Sequence, residues 1–169
     1  PINHRSKFTT ISAVIAHPQD NSRFFATTWH GGLFEFRNNT FYDRHNYANT
    51  NQKIVSLVSS TDDSYYLMYG LSFDKDNNLW MLNLGSQNVL KVMMADGTWH
   101  DFHIADWVYP KNPEGDEIFV DAYNNKWVNC IRTDQNSLMI FNENGTFDNA
   151  TDDKYRQFNK LNWFVDQDG

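Results

Sequence analysis

Short apolar runs separated by clusters of turn-forming residues recur along the chain. Gly70-Leu71-Ser72-Phe73 leads into Asp74-Lys75-Asp76-Asn77-Asn78, and Leu79-Trp80-Met81-Leu82 follows. Asn and Asp tolerate a positive φ and bond their own backbone, so this stretch predicts two short antiparallel strands joined by a tight turn. Alternation in Leu33-Phe34-Glu35-Phe36 likewise predicts a strand with one buried face.

The same phrase returns at a regular spacing. Asp121 stands six residues before Trp127, as Asp74 stands six residues before Trp80. A third copy begins at residues 163–169, and a looser copy at residues 13–25 has Phe24-Phe25 in place of Trp. The anchoring residues Asp74, Asp121 and Asp166 are 47 and 45 residues apart. Several strands at such a period are typical of propeller blades, and the repeated Trp side chains are predicted to lie in the core.

We therefore predict an all-β chain: one β-propeller segment of about three four-stranded antiparallel blades plus the start of a further blade. The whole of 1–169 forms this single partial domain, with blades at 11–69, 70–117 and 118–162, and with 163–169 as the first strand of the next. Phe147, in a Gly-Thr-Phe turn, is the expected counterpart of Trp99 in the outer strand. Closed propellers need at least four blades, so we expect either the remainder of a larger propeller or a homodimer.

Composition agrees with a sheet protein and excludes some partners. Aromatic residues make up 16% of the chain and favour strands. The best helical candidate, residues 152–161, has no sustained apolar stripe. A net charge of −7 argues against a nucleic-acid surface. No apolar run is long enough to span a membrane, and the single Cys130 is expected to be a buried apolar filler. Because the chain begins with Pro1 and has no signal peptide, we expect a trimmed natural N-terminus.

The motifs also carry a family resemblance. Asp-x-x-x-Asn-Leu-Trp, then a short apolar strand, a Leu-x-x-Phe strand and a Gly-Thr-Phe or Gly-Thr-Trp turn, resembles the two-component-regulator propeller repeat of Bacteroidetes. His17-Pro18, Arg23 to Trp29, Gly31 to Phe36 and Gly70 to Asp74 are similar more closely to PorZ-like propeller proteins. The resemblance spans about residues 11–169. It implies a periplasmic or cell-surface location and a link to type IX secretion and to delivery of anionic lipopolysaccharide.

Metal and cofactor chemistry finds little support in the sequence. Asp74, Asp76 and Asn78 alternate like the start of a calcium loop, but Leu79 and Gly85 stand where that loop needs Gly and Glu. We therefore favour a turn. His100 and His103 are three apart on a predicted strand and point to opposite faces. No metal and no cofactor are predicted.

Catalysis also lacks a candidate residue. Adjacent carboxylates occur at Asp62-Asp63, in residues 114–117 and at Asp152-Asp153, where solvated loop charges are the ordinary case. No nucleophile elbow, phosphate loop or zinc spacing is present. We predict that the chain is not an enzyme. A glycan-cleaving propeller stays open only if carboxylates about 5–10 Å apart converge on the loop face.

The binding site is predicted at one end of the blades. In a four-stranded meander, the loop between the second and third strands lies at the same end as the connection between blades, and loops carry function on such scaffolds. These loops include residues 29–31, 85–88 and 132–136, together with the connections 47–69 and 103–117. The candidate ligand-binding residues are Trp29, His30, Gln87, Arg132 and Asp134. Replacing Trp29 or Arg132 is expected to weaken ligand binding without lowering the melting temperature.

Two functions from different classes remain open. The first is non-catalytic binding or scaffolding in the bacterial cell envelope, with a glycan, lipopolysaccharide or secretion-system protein as partner. The second is the periplasmic sensor domain of a hybrid two-component histidine kinase that detects polysaccharide fragments. Both follow from the resemblance, because the blade residues themselves build turns and core.

Overall fold

The structure is a computed structural model, and it describes residues 4–59, 62–104, 115–130 and 138–158. A short 3-10 helix at His4–Lys7 precedes twelve strands in these ranges. The strands are β1 Ile11–His17, β2 Asp20–Thr28, β3 Gly32–Arg37, β4 Thr40–His45, β5 Met68–Phe73, β6 Leu79–Asn83, β7 Leu90–Met93, β8 Trp99–Phe102, β9 Gly115–Val120, β10 Lys126–Cys130, β11 Leu138–Asn142 and β12 Lys154–Phe158.

The described strands form three antiparallel sheets of four strands each, with the strands in sequence order within every sheet. We call β1–β4 the first blade, β5–β8 the second and β9–β12 the third. Strand β5 contacts both β1 and β9, so the first strands of the three blades are neighbours. This arrangement confirms the predicted all-β propeller segment. The predicted start of a further blade, residues 163–169, lies outside the described residues.

The repeated Asp is the centre of a hydrogen-bonded turn. Asp74 Oδ1 accepts the backbone N–H groups of Asp76 and Asn78, and Asp74 Oδ2 accepts Asn78 Nδ2 and Trp80 Nε1, all at 2.9 Å. Asn77 supplies the positive φ of 64° that the turn requires. Four N–H groups thus saturate the carboxylate, which explains the six-residue spacing from Asp to Trp and agrees with the turn rather than the calcium loop.

Asp121 makes the same bonds in the third blade. Its carboxylate accepts N–H groups from Tyr123, Asn125 and, at 2.8 Å, Trp127 Nε1. Burial opposes ionisation, but the hydrogen bonds from Asn125 and Trp127 outweigh it and lower the pKa of Asp121 to about 2. The two turns are therefore the same structural unit.

An apolar layer joins the second blade to the third. The Trp80 ring is fully buried and stacks on Phe102 at 5.3 Å, and Phe102 contacts Phe141 at 4.9 Å. Lys126 Nζ lies 4.0 Å from the centroid of the Trp80 ring and is paired with Glu143. Because this buried lysine is neutralised by a carboxylate and placed on an aromatic face, its charge is compatible with the core.

A second apolar layer joins the first blade to the second. Phe25 and Leu33 pack against Leu79 and Met81, and Ile54 from the connection between the blades completes the cluster. Phe25 thus occupies the place that Trp has in the other copies, as the looser repeat predicted. The second blade thus has a neighbour on both sides, which is how propeller blades bury sheet faces that are exposed when a blade is alone.

The outer strand of the third blade differs from the prediction. The strand is β12, Lys154–Phe158, which pairs with β11 and lies within the segment that was the best helical candidate. Phe147 belongs to the turn before it and contacts Phe102 and Trp80, each at 6.2 Å. Pairing with β11 determines this strand, and a short amphipathic pattern cannot reveal such a tertiary contact.

Trp127 is less buried than the repeat predicted. It aligns across the sheet with Phe119 and Ile140, as the register of β9, β10 and β11 shows. Phe119 is 62% exposed and Trp127 keeps part of its surface exposed, whereas Trp80 is fully buried. The third blade covers Trp80, but no further blade is present among the described residues to cover the equivalent face of the third.

Candidate functional site

Residues 46–67, which we call the cross-blade connection, link the first blade to the second and touch a loop of each. Tyr66 N donates to Trp29 O at 2.7 Å in the β2–β3 loop. Val55 N donates to Asn83 Oδ1 at 2.8 Å, and Asn83 Nδ2 donates to Tyr66 O at 2.5 Å. The β2–β3 and β6–β7 loops therefore lie at the same end of the blades, where the sequence predicted a site.

A buried arginine fixes the cross-blade connection in place. Both terminal nitrogens of Arg44 donate to the Asp63 carboxylate, at 2.9 and 2.7 Å, and Arg44 Nε donates to Gly31 O at 2.6 Å. Tyr66 OH also donates to Asp63, at 2.9 Å. Burial opposes ionisation of Asp63, but Arg44 and Tyr66 outweigh it and lower the pKa of the carboxyl. This two-bond geometry sets the position of the connection over the loops.

Trp29 has a packing role that the sequence did not indicate. Its ring lies 5.7 Å from that of Tyr69 and packs against the core between the second and third blades. Its Nε1 atom is buried and has no hydrogen-bond partner among the described residues. Replacement of Trp29 is therefore expected to lower the melting temperature, contrary to the expectation from sequence.

His30 points to the other side of the same loop. Its Nδ1 atom is 3.3 Å from Thr9 Oγ1, and its ring lies 5.4 Å from the Tyr65 ring. His30 thus stays at the predicted end of the blades, but its contacts are with the N-terminal segment and the cross-blade connection.

Gln87 lies in a cleft at this end of the blades. The cleft, which we call the loop cleft, has a volume of about 270 Å³. It lies between the cross-blade connection and the β6–β7 loop. Its lining residues are Gln52, Val55, Ser56, Gly85, Ser86, Gln87, Asn88, Lys91 and Asp101. Arg132 and Asp134 lie outside the described residues, so their predicted role is untested.

Glycine makes the close approach of the two walls possible. Gly85 has a φ of 77°, and any Cβ at this position would collide with the Leu57 side chain. At this positive φ a residue other than Gly is strained, and its Cβ would also displace the end of the Leu57 side chain.

Lys91 and Asp101 form the charged floor of the loop cleft, and Lys53, which is not a lining residue, binds the same Asp101 carboxylate. Lys53 Nζ lies 2.7 Å from Asp101 Oδ1, and Lys91 Nζ lies 3.3 Å from Asp101 Oδ2. Asn88 Nδ2 donates to Asp101 Oδ2 at 3.0 Å. Burial opposes ionisation of Asp101, but the two lysines outweigh it and lower the pKa of this carboxyl. Burial, only partly offset by Asp101, lowers the pKa of Lys91 to about 8.

Sequence reasoning missed this charged group, although a signal was available. Lys91 interrupts the apolar run Leu90-Lys91-Val92-Met93 at a position whose neighbours in register are Met81 and Asp101. A lysine on the inner face of a strand, opposite an aspartate on the next strand, indicates a buried ion pair. Lys53 is distant in sequence and gave no signal.

A larger groove of about 550 Å³ runs between the first strands of the blades. Ser12, Gly70, Glu117 and Trp127 are among its lining residues. Its walls are strand backbones and the partly exposed sheet face of the third blade. We favour the loop cleft as the site because hydrogen-bonded loops form its walls and a buried charge forms its floor, despite its smaller volume.

The described residues offer no group of three or more His, Cys, Asp or Glu side chains arranged to hold a metal ion. His100 Nδ1 is 3.3 Å from Asp148, and His103 Nδ1 is 3.2 Å from Asn88 Oδ1, so the two histidines have different partners. In the same part of the chain, no helix has the length and apolarity to cross a membrane.

Three stacked meanders of four antiparallel strands, with a loop cleft at one end, define a segment of a β-propeller. No protein-family model and no curated protein matches the sequence. Solved structures are similar to the chain. PorZ, a surface component of the type-IX secretion system of Porphyromonas gingivalis, aligns with a TM-score of 0.74 at 23% identity over 85% of this chain. The extracellular domain of a proposed hybrid two-component system, BT3049 of B. thetaiotaomicron, aligns with a TM-score of 0.56 at 12% identity over 89%.

These similarities confirm, at the level of the fold, the resemblance predicted from the blade motifs. The chain spans 19% of the PorZ chain and 17% of the two-component chain. Both similar structures are surface or extracellular proteins by description. At such identities the comparison establishes the propeller architecture alone, so ligand and partner have to be inferred from the site.

Proposed function

We propose that this chain is a non-catalytic binding segment of a bacterial cell-envelope propeller, and that its loop cleft binds a glycan, free or as part of lipopolysaccharide. The observation that carries the proposal is the lining of the cleft. Side-chain amides of Gln52 and Gln87 and hydroxyls of Ser56 and Ser86 surround an opening large enough for one sugar unit. Amides and hydroxyls both donate and accept, as sugar hydroxyls require.

The absence of paired carboxylates supports binding rather than cleavage. Among the lining residues, Asp101 alone carries a carboxylate, and two lysines and an asparagine already contact it. A glycosidase needs two carboxyl groups that flank the scissile bond. A periplasmic or cell-surface location is part of the proposal, and it is supported by the similarity to a surface component and to an extracellular domain.

Gln87 provides the direct test, because its side chain is exposed and makes no hydrogen bond to another described residue. Oligosaccharides of differing composition would be titrated into the chain and binding followed by two-dimensional NMR. Gln87→Ala should weaken binding about fivefold through the loss of one hydrogen bond. Gln19→Ala, in the exposed β1–β2 turn at the opposite end of the blades, is the control, and its melting temperature is measured as well because Gln19 Oε1 accepts a hydrogen bond from Asn77 Nδ2 at 3.2 Å. Binding unaffected by Gln87→Ala, or a partner that proves to be an envelope protein alone, would refute the glycan site.

The second candidate function is the sensor domain of a hybrid two-component system. The structural similarity to the extracellular domain from B. thetaiotaomicron favours it. The parent gene distinguishes the two functions: a kinase domain after a membrane-spanning helix supports the sensor, and a sorting domain supports the scaffold. Glycan binding at the loop cleft is compatible with both.

A further inference from the structure

A β-bulge interrupts the first strand of every blade. In each of these strands one residue has no opposite residue in the second strand of the blade: Ser12 in β1, Gly70 in β5 and Asp116 in β9. All three line the groove of about 550 Å³ between the first strands, which we call the strand groove. A bulge leaves its extra residue outside the ladder of backbone hydrogen bonds and redirects its side chain. The strand groove is thus lined by the same irregularity from each of the three blades.

Two of the bulges have a structural role. Ser12 Oγ donates to Met68 O at 2.5 Å and so ties β1 to β5. Gly70 has a φ of 52°, and a Cβ at this position would lie 3.0 Å from the backbone N of Ile118. Glycine therefore favours the close approach of β5 to β9. Contacts between blades account for both residues.

Asp116 has no comparable partner. Its carboxylate makes no hydrogen bond or ion pair with a described residue. The side chain of Glu117, beside it, accepts one long hydrogen bond, from Asn129 Nδ2 to Oε2 at 3.4 Å. The described lining of the strand groove includes no lysine, arginine or histidine. Two carboxylates without a neutralising cation, in a chain with a net charge of −7, attract a positively charged group.

The remainder of the strand groove suits an extended and partly apolar ligand. Val14 from β1 and Phe119 from β9 line it, and each is 62% exposed. Strands β1, β5 and β9 are each the end strand of their sheet, so one edge of each is not paired with another described strand. Val120 N uses one position on these edges, where it donates to Ser72 Oγ at 3.0 Å. Unpaired strand edges bind extended peptide segments through backbone hydrogen bonds.

The register of β9 specifies the spacing within such a ligand. Glu117 and Phe119 align with Asn129 and Trp127 on β10, so their side chains share one face of the sheet, about 7 Å apart. An extended segment that lies along β9 presents its side chains at the same period. A basic side chain near Glu117 is then two residues from an apolar side chain near Phe119.

We propose that the strand groove binds an extended segment of a partner protein that carries lysine or arginine two residues from an apolar residue. The cation lies at Asp116 and Glu117, and the apolar side chain packs against Phe119. The groove volume lies within the range of about 300–1,000 Å³ that is typical of ligand sites. A glycan is a less suitable occupant, because the Asn129 amide and the Ser12 hydroxyl already bond within the chain.

The strand groove is separate from the loop cleft, so this inference does not rest on the proposed glycan function. No residue lines both. Peptide binding should therefore be unchanged in Gln87→Ala, and glycan binding unchanged in Asp116→Asn. The failure of one proposal leaves the other standing.

The test uses three short peptides, with the chain at a concentration at which light scattering gives the monomer mass. The first peptide repeats lysine, serine, valine and serine, so that lysine and valine are two residues apart. The second has glutamate in place of lysine, and the third has the composition of the first with lysine and valine adjacent. Two-dimensional NMR would follow binding through the backbone amides of Gly70 and Glu117. We expect the first peptide to bind at least about tenfold more tightly than the second and about threefold more tightly than the third.

Asp116→Asn and Glu117→Gln are the matched variants. Each should weaken binding of the lysine peptide about threefold, as expected for an ion pair near the surface. Asp76→Asn makes the same change in net charge and should have no effect, because Asp76 is exposed, pairs with Lys75 and does not line the groove. Since the Asp116 carboxylate has no partner among the described residues, Asp116→Asn should keep the wild-type melting temperature. The comparison of the three peptides on the wild-type chain depends on no variant.

Several results would overturn the inference. These are no binding of the lysine peptide, equal affinity for the lysine and glutamate peptides, an equal loss in Asp76→Asn, and amide shifts confined to residues away from the strand groove. A mass that rises with protein concentration and falls in Asp116→Asn, without peptide binding, would identify a second copy of the chain as the occupant instead.

Discussion

Asp74 shows how a single side chain can define the repeat. Its carboxylate accepts four N–H groups from Asp76, Asn78 and Trp80, and thereby ties the turn to the following strand. Asn and Trp are required in the motif because both are donors whose side chains reach the same oxygen. The conserved-looking spacing within this chain is thus a hydrogen-bonding requirement.

Asp74→Asn tests this account. The new side-chain NH₂ group would face the N–H donors that now bind one carboxylate oxygen, and at least one buried N–H would lose its acceptor. We therefore expect a loss of about 2–3 kcal/mol in the free energy of unfolding. Urea denaturation gives the value. Asp76 is a neighbouring carboxylate whose side chain is 61% exposed. Asp76→Asn should therefore change the free energy of unfolding by less than about 0.5 kcal/mol. Equal effects of the two substitutions would contradict the account.

Glu35 makes stability depend on acid pH. Burial alone would raise its pKa, but hydrogen bonds from His45, Arg23 and Arg37 outweigh burial and lower it from 4.5 to about 2. The folded state therefore favours the ionised form, and this stabilisation is complete above pH 4.5 and lost as the pH falls towards 2. Glu35→Gln should unfold at a lower temperature at pH 7 and show a shallower fall in melting temperature between pH 4.5 and 2. A slope identical to wild type would refute the prediction.

The sequence predicted the turn around Asp74. It predicted neither the ion pairs around Glu35 nor the charged floor of the loop cleft. Asp74 acts over six residues, so its pattern is visible in a single stretch of the chain. Lys53 on the cross-blade connection and Asp101 on strand β8 are 48 residues apart in sequence, and only the folded chain reveals a contact of that kind. Gln87 was predicted because loop position follows from the meander alone.

At the scale of strands, the packing between blades decides how deeply the Trp of the repeated Asp-to-Trp motif is buried. Trp80 and Trp127 make the same bond to Asp, yet only Trp80 is enclosed by the next blade. The sequence predicted both as core because the motif is the same in both copies. Strand β12 was missed for the same physical reason, since its position depends on pairing with β11 rather than on its own pattern.

Trp80→Ala should therefore destabilise the isolated chain more than Trp127→Ala does. Truncation of a fully buried aromatic side chain costs about 3–5 kcal/mol, and a partly exposed one loses less contact area. Chemical denaturation of both variants under identical conditions measures the difference. If Trp127→Ala were equally costly, its sheet face would have to be covered in solution.

For the molecule as a whole, the sheet face of the third blade that the described residues leave partly exposed predicts association. Phe119, Trp127 and Ile140 form an apolar row across the third blade, and Phe119 is 62% exposed. Exposed apolar rows and free strand edges favour contact with another copy or with further blades. Light scattering should show a mass that rises with protein concentration, and Phe119→Lys should lower it. A constant monomer mass at all concentrations would contradict the prediction that this face binds another copy of the chain.

The hydrogen bond from Trp to Asp has a consequence for the order of folding. Because Asp74 and Trp80 are six residues apart, closing this loop costs little chain entropy, and the hairpin needs no contact with another blade to form. The same is true of Asp121 and Trp127. Each repeat thus carries its own nucleus, so a propeller built from such units can assemble progressively from one end while the ribosome is still extending the other.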